Sequence, residues 1–297
     1  MTQTPAGFGI TLIGDRINPG FKSTRELLEC NDLAGIQALA VRQAEAGAAS
    51  LDVTIGARAQ SDPQYLVIVI RAIQEAVPLP LCFDYPDAPT QELCLRTYDQ
   101  ARAGGQLPLV NSITEDRWHL MELYRLRPFR VVVMVSERVE NGVARANKTA
   151  ADFASTAKRA ALRLNRDYGI ALRDVFIDIS VSAVVADTQG MHRATLEAIH
   201  ALRADAELKG IHLMGGLTNI GQQLPAKAAD GSDLKLALEN AFLTLAVPAG
   251  FDAVLCTPWR PYAPLPDDNY VLQVYREFLE QSGTNALRVV RKLYRRV

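Results

Sequence analysis

Short, largely apolar runs of three to seven residues alternate with helical stretches along the whole chain, and this alternation limits the fold more than any other feature. The runs cover residues 10–14, 50–54, 79–83, 107–110, 129–135, 175–177, 211–214 and 251–255. Between them, apolar residues recur at helical spacing, with start and stop signals at the ends. Asn31-Asp32 opens the segment to Gly47 and Ser61-Asp62-Pro63 the one to Ala76, while Gly104-Gly105 closes residues 88–103. Residues 115–126 read as helical, Thr149 opens a long amphipathic helix ended by Gly169, and Asp187 starts another to Ala204. Ser232-Asp233 opens the segment that reaches Gly250, and Asp267-Asp268 opens the final helix. Continuous apolar strands alternating with helices are what a parallel sheet buried on both faces requires. About eight such units in 297 residues give an α/β fold of the (β/α)8 TIM-barrel type, expected as one domain over 1–297. An open doubly wound sheet is the alternative, but no GxGxxG follows the first strand.

Bulk properties narrow the function classes. With 48% hydrophobic and 22% charged residues the chain is not of a disordered type, and a net charge of −1 recruits neither nucleic acid nor an anionic membrane. Cys30, Cys82, Cys94 and Cys256 form no CxxC pair and do not cluster with histidines, so neither a zinc site nor a disulfide framework is expected. The first eight residues lack the basic and apolar regions of a signal peptide, and no apolar run reaches membrane-spanning length. A cytoplasmic location is the default expectation. From about residue 284 the tail carries Arg288, Arg291, Lys292, Arg295 and Arg296 among apolar residues, as a basic amphipathic helix on the outside of a barrel would; docking of a partner is the other reading.

In a barrel of this kind the reacting groups come from the carboxyl ends of the strands. Here those ends carry Asn18, Asp52, Asp84, Asn111, Asp178 and Asn219. A single Asp after a strand is commonly the N-cap of the next helix, but six acidic or amide residues at strand ends form a pattern. Arg and Lys are nearly missing from these positions, which argues against phosphate or carboxylate substrates. Converging carboxylates suit a neutral, flat ligand rich in N–H donors, such as a 2-amino-4-oxo pyrimidine ring. A general acid–base pair or a metal site is the alternative use of close carboxylates, and the absence of a nearby His favours the organic ring over a transition metal. After the seventh run comes Gly215-Gly216-Leu217-Thr218-Asn219-Ile220-Gly221-Gln222-Gln223. Its glycines allow backbone to approach a ligand closely, and its amides can both donate and accept hydrogen bonds. An ordinary strand-to-helix loop would use the same turn-forming residues.

The blocks Ile13-Gly14-Asp15-Arg16-Ile17-Asn18, Leu51-Asp52-Val53-Thr54-Ile55-Gly56, Leu81-Cys82-Phe83-Asp84, Val110-Asn111-Ser112, Phe176-Ile177-Asp178 and Gly216-Leu217-Thr218-Asn219-Ile220-Gly221-Gln222 resemble, in order, those of the pterin-binding methyltransferases. These are the methyltetrahydrofolate:corrinoid protein methyltransferases, related to the folate domain of cobalamin-dependent methionine synthase. The resemblance implies that Asp84, Asn111 and Asp178 grip the pterin. Asp52, Gly216, Thr218 and Gln222 complete the expected pterin site, and Asn219 contacts N5, the nitrogen that carries the methyl group. Asn219 is then the catalytic residue, because a carboxamide can donate to the bare nitrogen or accept from the protonated one and so follow the charge at N5 as the methyl moves. Tetrahydrofolate or 5-methyltetrahydrofolate is the implied substrate. The chain has no Asp-x-His-x-x-Gly block and no room beside the barrel for a corrinoid domain. A separate corrinoid protein carrying cobalamin or a related corrinoid is therefore implied, and often a homodimer. The sequence departs from the family where Tyr85-Pro86 follows Asp84 and Ile179 follows Asp178, and Lys227 stands for a basic residue beyond the seventh strand. Dihydropteroate synthase is the nearest rival, but it expels diphosphate and calls for cations that residues 217–224 lack. A non-catalytic pterin or folate carrier is the rival of another class.

Overall fold

The computed structural model describes residues 7–295. Its main sheet has eight parallel strands: β1 (Thr11–Ile17), β2 (Ser50–Val53), β3 (Leu81–Asp84), β4 (Leu109–Ile113), β5 (Arg130–Met134), β8 (Val175–Asp178), β9 (His212–Met214) and β10 (Ala253–Cys256). They follow one another in that order, and β10 returns to pair with β1. Between β9 and β10 the ring closes more sparely, through one bridge from Gly216 to Leu255 and through backbone N–H bonds from Asp252 to Leu213 O and from Leu255 to Gly215 O, both 3.1 Å. The molecule is thus a (β/α)8 barrel, as the alternation of the sequence implies.

The strands read as continuous apolar runs because both of their faces are covered. Leu51, Val53, Leu81 and Phe83 point outward into one core beneath the helices, and Val110, Val131, Val133, Val175 and Ile177 into another. The alternate residues Ile13, Cys82, Leu109, Val132, Phe176, Met214 and Ala253 fill the inside of the barrel. Each fully buried Val, Leu, Ile or Phe contributes about 1.5–3 kcal/mol. The same period of two turns Asp15, Asp52, Asp84, Asn111 and Asp178 inward above that apolar plug.

The helices are α1 (Lys22–Glu29), α2 (Leu33–Glu45), α3 (Arg58–Ser61), α4 (Pro63–Ala76), α5 (Ala88–Thr97), α6 (Ala150–Tyr168), α7 (Met191–Ala204), α8 (Leu234–Ala249), α9 (Tyr270–Leu279) and α10 (Gly283–Lys292). Their caps match the sequence signals: Asp32, Asp62 and Asp233 accept from the first-turn N–H groups of α2, α4 and α8. Thr149 and Asp152 form a reciprocal capping box on α6, and Gly169 ends that helix in the left-handed region.

Several expectations are corrected. The helix foreseen over 88–103 stops at Thr97, because Tyr98 turns its buried ring edge-on to Phe83 and donates its hydroxyl to Gln106 O. Residues 115–126 give only a 3-10 helix, Trp118–Arg125, because Glu115 is drawn away to accept the Val139 N–H and the Arg159 guanidinium. The helix expected from Asp187 starts at Met191, since the Asp187 carboxylate closes a turn on the N–H groups of Gln189, Met191 and His192. The sequence reading also omits α1 and the antiparallel hairpin of β6 (Glu137–Glu140) and β7 (Val143–Ala146). Only the hairpin's turn is legible, and Asn141 and Gly142 both adopt the positive φ that such a turn requires. The tail helix α10 buries Ala286, Val289 and Val290 against α9, so its amphipathic reading holds. It is tied to two rim loops, through Gly283 N–H to Thr188 O and through Leu293 O to Ala229 N–H. Arg296 lies outside the described residues, as do the first six residues of the leader reading.

Candidate functional site

The inward-facing polar residues meet at one end of the barrel. Asp84 and Asn111 stand side by side in the register of β3 and β4, and Asp52 lies one step deeper, level with Cys82. Asn111 Nδ2 donates to Asp52 Oδ1 at 3.2 Å, and both side chains are buried, at 7% and 3% exposure. That bond orients the carboxamide: with its NH2 turned down to Asp52, its oxygen is left for the mouth. Asp178 ends β8 in register with Met134 on one side and Met214 on the other. Its Oδ1 accepts from Ser180 N–H at 2.8 Å.

The carboxyls hold their protons unusually well. Burial drives Asp52 well above the ordinary range, and the Asp84 charge pushes it further. Asp84 is itself raised by burial, while the Arg117 guanidinium pulls the other way. Asp178 is raised to about 6, chiefly by burial, against the Ser180 hydrogen bond and with help from the Asp84 charge. These mutual influences tie Asp52, Asp84 and Asp178 into one electrostatic unit.

Asp15 was not singled out from the sequence, yet the structure sets it in the same mouth. It is 7% exposed and raised to about 6 by burial. The Thr218 hydroxyl donates to its Oδ2 at 3.1 Å, and Thr257 reaches its Oδ1 at 3.4 Å. Strand periodicity could have found it: with Ile13 facing inward, Asp15 must face inward too. Asn18, named instead at the end of the first strand, accepts from Gly20 N–H at 2.8 Å and shapes the following turn.

Thr218 belongs to the 3-10 turn Leu217–Asn219, so its bond to Asp15 fixes that loop over the mouth. Asn219 is exposed, and its Oδ1 accepts from Gln222 Nε2 at 2.7 Å. Its Nδ2 is left as a donor. Gly216 is needed for close approach, since a Cβ there would stand 2.8 Å from Asn219 Nδ2. The residues expected to form the site, Asp52, Asp84, Asn111, Asp178, Gly216, Thr218, Asn219 and Gln222, therefore all lie at or above the carboxyl end of the barrel.

A second omission is Gln91 on α5, which is fully buried. Its Nε2 donates to Phe83 O and Tyr85 O at 2.9 Å and lies 3.3 Å from Asn111 O, clamping the ends of β3 and β4 together. Tyr85 turns away from the mouth, with its hydroxyl accepting from Ile55 N–H at 2.9 Å among the outer core residues. Ile179 likewise packs outward. These two departures from the family pattern thus sit behind the pocket wall.

The expected shortage of cations needs correction. Arg117, from the loop after β4, lies beside Asp84 and donates to Ser112 Oγ at 3.2 Å. Arg16 packs its guanidinium on the Phe21 ring, and Arg260 is held by Glu239 at 2.6 Å and Asp233 at 3.3 Å. Runs of sequence hide these groups because each reaches the rim from a loop or points off a strand's outer face. Lys227 is exposed, with no carboxylate on it among the described residues. Among those residues no group of three or more His, Cys, Asp or Glu is arranged to hold a metal ion, and no helix is long and apolar enough to cross a membrane.

A family model described as pterin binding enzyme matches residues 16–256. The methylcorrinoid:tetrahydrofolate methyltransferase of Eubacterium limosum is 28% identical over 256 residues, which cover 83% of this chain and 84% of that protein. Among solved structures, dihydropteroate synthase from Xanthomonas albilineans in complex with 7,8-dihydropteroate superposes with a TM-score of 0.55 at 17% identity, covering 91% of this chain and 93% of that one. The Burkholderia cenocepacia dihydropteroate synthase gives 0.56 at 15% identity, over 90% of each chain. At such identities the structural likeness speaks for the fold alone.

Proposed function

The chain belongs to the pterin-binding enzymes, and from that premise we propose that it is a methyltransferase moving a methyl group between N5 of tetrahydrofolate and the cobalt of a corrinoid protein. The name of the Eubacterium limosum relative supports the reaction class. The observation that carries the reading is the single mouth in which Asp84, Asn111 and Asp178 line up beside a loop presenting a free carboxamide donor.

In this reading Asp84 and Asp178 accept the ring N–H and exocyclic amine of the pterin. The Asn111 oxygen, aimed by its bond to Asp52, adds a further acceptor. Met134, level with Asp178 and only partly buried, offers apolar surface for the face of the ring. Asn219 stands at N5. When the methyl leaves, its bonding pair stays on nitrogen and a proton must be taken up there; a carboxamide that changes from donor to acceptor follows that change. The corrinoid, carried by a separate protein, supplies the other methyl site. The same proposal takes the protein as cytoplasmic and homodimeric.

The dihydropteroate synthase reaction is less well supported, since the sequence relative that matches most of the chain is named as a methyltransferase, whereas the synthases are alike in fold alone. The visible spectrum of free methylcobalamin tests the reading directly. It is expected to decay to that of reduced cobalamin only when tetrahydrofolate and the protein are both present. Tetrahydrofolate binding without decay would leave a carrier, and no binding at all would sink the pterin site itself.

A further inference from the structure

Beyond the pterin pocket, the edge formed by the β9–α8 loop and α10 carries cations that no carboxylate of the described residues pairs with. Lys235 lays its stem against Gly221, so that a Cβ at 221 would stand 3.0 Å from Lys235 Cγ. Gly221 is two residues from Asn219. Lys227 lies next along the edge, pairing its backbone antiparallel with Asp233. Two residues on, Ala229 N–H donates to Leu293 O at 2.8 Å, which joins this loop to the end of α10. There Arg291 and Arg295 flank the contact, with Arg288 one turn earlier on the helix. All five cations are exposed, and among the described residues none has a carboxylate within ion-pair distance. The acids nearby are engaged: Asp233 with Arg260, Glu277 with Lys292, and Asp230 with Ser232. In a chain of net charge −1 this is a local excess of positive charge on one side of the mouth.

We propose that this edge binds the poly-γ-glutamate tail of the folate substrate. The inference rests on the pterin reading above and extends it. In tetrahydrofolate the tail is attached at C6, the ring atom next to N5, so a pterin with N5 at Asn219 releases its tail beside the Asn219–Gly221 turn. Lys235 is then the first cation reached, followed by Lys227 and the arginines of α10. Each added glutamate brings one more α-carboxylate, and the spaced cations fit a polyanion better than a single carboxylate. Exposed pairs of this kind are weak singly and gain by repetition.

Calorimetric titration with tetrahydropteroyl monoglutamate and triglutamate measures the tail site without any need for turnover. The triglutamate is expected to bind about fivefold more tightly, at a modest gain per exposed pair. The preference should shrink as salt rises from about 50 to about 300 mM, where exposed charges are screened. A triple variant, Lys227→Glu with Lys235→Glu and Arg291→Glu, should bind both forms alike, its helical content checked by circular dichroism. Equal affinity for the two forms in the native protein, or a preference that survives the triple reversal, would overturn the proposal. Failure of methyl transfer with both forms, by contrast, would count against the methyltransferase reading and leave the affinity ratio to decide the tail site.

Discussion

Asn219 and Gly216 work as a pair. The glycine leaves the space in which the carboxamide sits, and a Cβ there would press on a side-chain tip and not on backbone. Gly216→Ala should therefore change stability by less than about 1 kcal/mol, since only the end of a flexible side chain must yield. Methyl transfer should nonetheless fall about tenfold or more, because small misplacements at a reacting atom are costly. Asn219→Ala should lower transfer by about 10² or more while shifting tetrahydrofolate affinity far less, the pattern for an interaction made mainly in the transition state. Single-turnover rates set against binding constants check both variants, and equal losses in rate and affinity would reduce Asn219 to a binding residue. At this scale the sequence is informative where a side chain follows a strand and uninformative where it arrives from elsewhere. Asp84, Asn111 and Asp178 are legible from their places after apolar runs, and Asp15 becomes so once the period of two is applied from Ile13. Arg117 and Gln91 are not, because a loop and a helix bring them to the mouth and no local spacing records that approach.

Among the elements, α5 and α6 separate stability from site geometry. Gln91 on α5 holds the carbonyl groups that flank Asp84 and the one at Asn111, whereas Thr149 caps α6 on the outside of the barrel. Gln91→Leu leaves buried carbonyls without that donor and should destabilise the fold by about 2–3 kcal/mol. It should also weaken pterin binding several-fold at temperatures where the variant is folded. Thr149→Ala should cost about 1 kcal/mol and leave the binding constant alone. Denaturant titration beside calorimetry distinguishes the two, and pterin affinity unchanged in Gln91→Leu would make the clamp a purely structural device. Element boundaries follow the same division as residues. Helices with an Asp or Thr cap are readable, but the end at Thr97 depends on Tyr98 reaching Phe83 and Gln106 O, and the start at Met191 on Asp187 closing a turn ahead of the helix. The β6–β7 hairpin escaped because its strands are short and polar, with only the Asn141-Gly142 turn to announce them.

For the whole molecule, the crowded carboxyls predict an unusual response to acid. Asp15 and Asp178 hold protons to about pH 6, against 3.8 for the unperturbed side chain. Between those values the folded chain keeps protons that the unfolded chain has lost, so the contribution of these groups to stability is complete below pH 4 and disappears as the pH rises past 6. Asp178→Asn should accordingly stabilise the ligand-free protein at pH 7 by about 1–3 kcal/mol and give no gain at pH 4. It should also weaken pterin binding, because the acceptor is lost. Urea midpoints at the two pH values would decide this, and a variant less stable at pH 7 would contradict the assigned burial. A barrel that tolerates so much repulsion near its mouth keeps its ladder dense around seven of the eight junctions. The junction between β9 and β10 is the exception, with one bridge and two backbone bonds. The turn bearing Asn219 hangs from that thinly stitched stave and is pinned at Thr218 by Asp15, so the carboxamide beyond that pin can shift a short way without loosening the other strands. Amide deuteration at Leu255 ahead of Val132 would register such breathing, and it would let the carboxamide trade one hydrogen-bond role for another while the ring below it stays still.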